Sequence, residues 1–165
     1  MIVRVCRHEE FELSHMLDNY EGKCGKIHGH TYKAEITLEG NIIENPTSNS
    51  YGMLIDFNDL KPIIKDIIPD HYYMSDITQT EGFPEELRVL MDKYNMPFKI
   101  FEGRSTVENM VCHYAKEIQK RLPENIFVVE VKLYETTNSF GIWRIEDHPS
   151  RKYDKFRQEN VVYEE

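Results

Sequence analysis

The chain has 165 residues, 40% of them hydrophobic and 12% aromatic, too rich a mixture for a disordered polymer and enough to build one cored domain without disulfide staples. Its 20 Lys and Arg against 29 Asp and Glu leave a formal charge of −9, which disfavours nucleic-acid binding by non-specific phosphate attraction and requires a local basic cluster for any polyanionic ligand. Cys6, Cys24 and Cys112 are too few and too widely spaced for a disulfide framework, which predicts a reducing, cytoplasmic setting, and no run approaches the roughly 18 to 20 apolar residues that cross a bilayer.

In chain order, Ile2 to His15 reads as a strand. Val3 and Val5 alternate, Arg7 and Glu9 interrupt, and Phe11, Leu13 and His15 resume the period of two, which predicts a bulge or break near Arg7. Residues 16–27 form a polar loop with Gly22 and Gly25. From His28 to Leu38 the alternation is clean: His28, His30, Tyr32, Ala34, Ile36 and Leu38 share one face of a half-buried strand.

After a Pro-, Ser- and Asn-rich loop over 45–52, Leu60, Ile63, Ile64, Ile67 and Ile68 trace a helical stripe. Asp56 or Asn58 is its candidate cap, Pro62 falls near its first turn and Pro69 is its stop. Pro84 opens a shorter helical pattern ending before Pro97. Ser105 and Glu108 have the spacing of a capping box at the head of a helix running from Val107 toward Leu122 and Pro123. Two strands, 126–135 and about 139–145, are joined by a short turn, and no structure is assigned to the polar tail 147–165. The order strand, strand, helix, inserted helix, helix, strand, strand predicts an α+β fold with an antiparallel sheet and helices on one face.

His28 and His30, two apart on one strand, project from the same face with roughly 6 to 7 Å between them. If the first two strands pair as a hairpin, His15 comes opposite them. Three neutral imidazoles with an open fourth position suit a catalytic zinc, whereas structural zinc is normally closed by four protein ligands; the plain alternative is three unrelated histidines. Cys24, four residues before His28 and beside Lys26, is either a tuned thiol or an inert loop residue. Asp70-His71 couples a carboxylate to an imidazole, as proton transfer near neutral pH requires, or simply sits on the surface. Val129, Val131, Leu133 and Glu135 share one face of the strand that Glu135 closes, so its carboxylate, at the end of an otherwise apolar row, needs a partner, either a salt bridge or a planar ligand with adjacent N–H donors. Glu108 reads first as the capping-box residue, and His8, His113 and His148 read as surface or packing residues.

Taken together, Phe11 to His15, Cys24 to Tyr32, Gly52 to Phe57, Asp70-His71, Ser105 to Asn109 and Glu135-Thr136 resemble, in order over about residues 2–146, the 6-pyruvoyl-tetrahydropterin synthase and 6-carboxy-tetrahydropterin synthase family. The resemblance implies a single tunnelling-fold domain over 1–146, with an inserted segment at about 77–102 and a tail over 147–165. It also implies homo-oligomers built around a barrel, with active sites between subunits and neither nucleic acid nor membrane as partner. By the same resemblance His15, His28 and His30 would hold Zn2+, Cys24, Asp70 and His71 would transfer protons, and Glu135 would anchor the pterin. Thr106 and Lys26 would be further substrate contacts, Lys26 toward a triphosphate.

The implied substrate is 7,8-dihydroneopterin triphosphate. The spacing of three residues between Cys24 and His28 is similar to that of the bacterial carboxy branch of queuosine biosynthesis, whose reaction releases acetaldehyde and triphosphate. Ser105 to Asn109 looks equally like the pyruvoyl branch, and a non-catalytic zinc- and pterin-binding protein is a third reading. The chain departs from the family pattern after Asp70-His71, where Tyr72-Tyr73-Met74-Ser75 follows, and in the length of the inserted segment.

Overall fold

The structure, a computed structural model, describes residues 1–76 and 84–160. Residues 77–83 of the expected insertion and 161–165 of the tail lie outside the described residues. Two 14-residue strands, β1 (Ile2–His15) and β2 (His28–Asn41), form a long antiparallel hairpin. Its register runs without interruption from Ile2 opposite Asn41 to His15 opposite His28. The break expected near Arg7 is therefore absent. Arg7 and Glu9 keep the inward phase of Val5 and Phe11 and tolerate it by pairing with each other at 3.2 Å, while Lys65 adds a second cation 3.5 Å from Glu9.

Helix α1 (Phe57–Ile67) starts at Asp56, whose side chain accepts the Asn58 N–H at 2.8 Å, and Pro62 lies in its second turn. β3 (Tyr72–Asp76), α2 (Pro84–Lys93) and β4 (Phe98–Phe101) follow. Next come α3 (Val107–Gln119), β5 (Ile126–Thr136), β6 (Ser139–Arg144) and α4 (Arg151–Asn160). The sheet order is β4-β3-β1-β2-β5-β6. Its β1, β2, β5 and β6 portion is antiparallel as expected, but β3 joins β1 in parallel and β4 joins β3 in parallel. The sequence reading had no strand in either place. Each is five residues or fewer, too short to display a strand's period.

One face of the sheet carries the main core. Phe11, Leu13, Tyr32, Ala34 and Ile36 pack there against Leu60 and Ile64 of α1 and Met110, Tyr114 and Ile118 of α3. A register shift between β2 and β5 at Thr37/Leu38 adds one residue to β5, so Val128 and Val131 both face this core. Val129 is turned to the opposite side and joins Phe127 in a second cluster, which corrects the row assumed for Val129, Val131 and Leu133.

That second cluster explains the tail. α4 lays Tyr153 and Phe156 on Phe127, Val129 and Ile145, with Ile2 at the margin. Ile2 is out of phase with the inward Val3, so α4 covers the face opposite α1 and α3. Two aromatics three residues apart are one side of a short helix, a signal too sparse to recognise in a polar tail. Among the described residues, no helix is long and apolar enough to cross a membrane.

Candidate metal centre and active site

At the loop end of the hairpin, register places His15 directly across from His28, with His30 opposite Leu13. The three imidazoles therefore leave the same face of two adjoining strands, where the helix-covered core ends. Their ring centres are 4.6 Å (His15–His28), 5.0 Å (His28–His30) and 5.6 Å (His15–His30) apart. One nitrogen of each lies within 4.8 Å of the others, a group able to hold a metal ion.

The opposite ring atoms of two of these histidines are committed elsewhere. Nδ1 of His15 lies 2.8 Å from the Ser105 carbonyl and 3.2 Å from its hydroxyl, and Nδ1 of His28 lies 2.7 Å from the Lys26 carbonyl. Because a carbonyl can only accept, both Nδ1 atoms carry the proton and both Nε2 atoms are left with a lone pair. Nε2 of His28 and of His30 are buried without a hydrogen-bond partner, a costly state for polar atoms unless a ligand completes them. Burial, reinforced by His28, draws the His15 imidazole down to about 4 against the opposing Ser105 carbonyl. Burial likewise lowers His30. Both shifts favour the neutral form that a metal ligand needs.

Glu135 joins this cluster. It is the extra residue at a second register irregularity, between Tyr134 and Thr136 on β5, and the bulge directs its carboxylate 3.8 Å from His30 Nε2 and 3.9 Å from His15 Nε2. Tyr32 bridges the two groups. Its hydroxyl donates to Glu135 Oε1 at 3.3 Å and lies 3.4 Å from His15 Nε2. Burial first, then the charges of Glu135, Tyr114 and Cys24, push the Tyr32 phenol up, so it stays a neutral donor. Cys24 is half-buried in the Lys23–Gly25 turn of the loop that joins β1 and β2.

Asp70 and His71 are placed elsewhere. They form a pair, Oδ1 to Nδ1 at 2.9 Å, on an exposed rim where β3 begins. His71 N–H donates to the Glu12 carbonyl at 2.7 Å and the Glu12 N–H donates to Asp70 at 2.9 Å. That amide, ahead of His71, holds the Asp70 carboxyl below its usual range. Among the described residues no hydrogen bond or ion pair joins this pair to the three histidines. His71, but not Asp70, lines a depression of about 600 Å3 together with Glu12, Ser14, His30, Thr31 and Leu87, among others, so His30 borders both this depression and the histidine cluster. Lys26 has an exposed side chain and serves the cluster through its carbonyl.

A family model described as 6-pyruvoyl tetrahydropterin synthase matches residues 4–146. The chain belongs to that family. Among its relatives, a 6-carboxy-5,6,7,8-tetrahydropterin synthase of Haemophilus influenzae is 32% identical over 142 residues, covering 83% of this chain and 95% of the relative. One from Rickettsia conorii is 29% identical, with 84% and 98% covered. The fold is that of the family's solved structures. A 6-pyruvoyl tetrahydropterin synthase of Caenorhabditis elegans superposes with a TM-score of 0.58 at 21% identity, covering 87% of this chain and 96% of the other. An uncharacterized protein from Wolinella succinogenes gives 0.64 at 18% identity, with 87% and 98% covered. The family match ends before α4 begins.

Within this family member, two residues of the cavity were missed or misread from sequence. Ser105 does not cap α3. The helix is preceded by Thr106 at the cap position, without a side-chain cap bond, and Ser105 is fully buried against His15. Glu108 is then exposed and has no capping box to complete. Tyr32 stands in the sequence only as one of the residues sharing the inward face of β2, with no role at the site. Its position two residues beyond His30 on the same face was the available signal for a hydroxyl beside the cluster.

Proposed function

We propose that the chain is a zinc-dependent 6-carboxy-5,6,7,8-tetrahydropterin synthase. It would convert 7,8-dihydroneopterin triphosphate to 6-carboxy-tetrahydropterin with release of triphosphate and acetaldehyde, in 7-deazaguanine and queuosine biosynthesis. The observation that carries this reading is the convergence of His15, His28 and His30 with buried, unpartnered Nε2 atoms on two of them. It stands in a chain whose similar relatives bear the carboxy-synthase name. An all-nitrogen, three-histidine set leaving a fourth position open matches the ligand preference of catalytic zinc.

The ion, when bound, supplies Lewis acidity toward the substrate's side-chain oxygens. The chain supplies the remainder. Glu135, beside the histidine cluster, offers two carboxylate oxygens to adjacent N–H donors of a pterin edge, and Tyr32 fixes its orientation through Oε1. Thr106, next in the chain to the Ser105 that holds His15, would be a further substrate contact, and Lys26 would reach toward the triphosphate. Cys24 Sγ exchanges a proton on one side of the substrate. On the other side His71 acts through Nε2, since Nδ1 is engaged by Asp70.

Within one chain Asp70 and His71 lie on the exposed rim of β3, which supports a homo-oligomer in which one copy's pair completes the cavity of another. The resemblance of Ser105 to Asn109 to the pyruvoyl branch favours 6-pyruvoyl-tetrahydropterin synthase as the second reading. Product analysis with 7,8-dihydroneopterin triphosphate separates the two. Acetaldehyde with 6-carboxy-tetrahydropterin is the expected outcome, a pyruvoyl product assigns the second branch, and no turnover by zinc-loaded protein overturns both in favour of a binding role.

A further inference from the structure

Two adjacent residues in the turn before α3 reach two different elements, the histidine cluster and the loop between β1 and β2. Ser105 meets His15, its carbonyl 2.8 Å from Nδ1. Arg104 meets the loop between β1 and β2. Its Nη2 donates to the Asp18 carbonyl at 2.7 Å, and its guanidinium carbon lies 5.9 Å from the centre of the Tyr20 ring. The backbone of Arg104 is itself held, because Asn109 Nδ2 donates to its carbonyl at 3.0 Å and the Thr106 N–H does so at 2.8 Å.

The loop so gripped is the one that carries Cys24, and it is folded tightly on itself. The Leu17 N–H donates to the Cys24 carbonyl at 2.8 Å, the Gly25 N–H to Gly22 at 3.1 Å and the Lys26 N–H to Lys23 at 3.1 Å. Gly25 presses on the Tyr20 carbonyl where a Cβ would collide, and the Tyr20 ring occupies the space beside Gly22. A loop knitted in this way moves as a unit, so a hold on Asp18 and Tyr20 is a hold on Cys24. Arginine suits the task because one planar group donates to a carbonyl and lies over an aromatic face together.

The geometry points to Arg104 as a positioning residue that ties the Cys24 loop to the same short segment that orients His15, and so sets the thiol's place relative to the histidine cluster. The inference rests on the assignment of Cys24 to proton transfer. With Arg104 removed, the loop keeps its attachments to β1 and β2 and its own internal bonds, which permits the thiol to shift as the unit swings. A misplacement of about 1 Å costs on the order of 10²-fold in rate.

The test compares zinc-loaded wild type with Arg104→Ala and Arg104→Lys. It reads turnover of 7,8-dihydroneopterin triphosphate, zinc per chain, and the iodoacetamide labelling rate of Cys24, resolved from Cys6 and Cys112 by peptide mass spectrometry. Arg104→Ala is expected to lose about 10- to 100-fold in kcat with KM within about twofold of wild type. Its zinc content should be unchanged, and its Cys24 labelling altered by at least about threefold while Cys6 and Cys112 are unaffected. Arg104→Lys, which keeps the charge and a donor, should recover part of both losses. A folded Arg104→Ala that labels at Cys24 like wild type overturns the proposal, as does loss of zinc in step with loss of rate. Should the alanine variant fail to fold, Arg104→Gln is read by the same labelling, and a wild-type rate there overturns it equally. Absence of pterin turnover in wild type would sink the functional reading and leave the labelling rates to decide the role of Arg104.

Discussion

The two ends of β2 hold buried polar groups under opposite terms. At the loop end, Nε2 of His28 and of His30 is buried with no hydrogen-bond partner. At the far end Glu39, 1% exposed, has its carboxylate saturated: Arg4 Nε at 2.6 Å, the Tyr153 hydroxyl at 2.9 Å and Arg157 at 3.2 Å. An unpaired polar atom inside a fold costs stability, whereas a fully partnered one can hold two elements in register. The first end is therefore able to take a ligand. The second is closed upon itself, and it clamps α4, an element beyond the family match, to the sheet.

The largest effect expected from this contrast is at the open end. His30→Ala should leave less than about a tenth of the wild-type zinc and lower turnover by about 10³-fold or more, because the Lewis acid contributes several kcal/mol. The metal-free variant should unfold at no lower denaturant than metal-free wild type, since it has lost an unsatisfied group. A marked loss of stability would show that His30 is structural and break the comparison.

Glu39→Gln should do the reverse. It should destabilise the protein by about 2 kcal/mol in urea unfolding, less than for a wholly buried pair because the Arg4 and Arg157 side chains are 58% and 38% exposed, and leave zinc content intact. Tyr153→Phe, which deletes one donor to Glu39, should cost about 1 kcal/mol.

A further effect is on pH dependence. His15, drawn down to about 4 from 6.5 by burial, takes up its proton less readily folded than unfolded. The metal-free protein should therefore keep this contribution above about pH 6.5 and lose it as the pH falls toward 4. Urea midpoints of chelated protein measured across that window should slope downward toward acid. His15→Ala should flatten the slope, and an unchanged slope would remove the burial argument for His15.

Much of the open end was legible in the sequence. The alternation from His28 to Leu38 fixes which residues share a face, and antiparallel return of the chain brings His15 alongside them. Asp70 and His71 were visible as a pair, but not as a pair on the rim opposite Glu12, because a hydrogen bond across 58 residues leaves no local trace. The closed end was almost silent. Glu39 looks like any strand glutamate, and its partners come from positions 4, 153 and 157, which share no period and no motif. Ser105 was misread for a related reason: a serine three residues before a glutamate satisfies a capping pattern, and only the approach of His15 decides that it is used otherwise.

By itself the sequence determined the α+β order, the helix-covered face, the family pattern and the three histidines, since these depend on periodicity and spacing within short windows. Tertiary structure decided what spacing cannot express. A one-residue bulge in β5 turned Val129 away from the row it had seemed to continue, and a second bulge aimed Glu135 at the cluster. Two short parallel strands extended the sheet, and α4 folded onto its free face. Each depends on contacts between residues distant in sequence, where burial and the need to partner polar groups outweigh local preference.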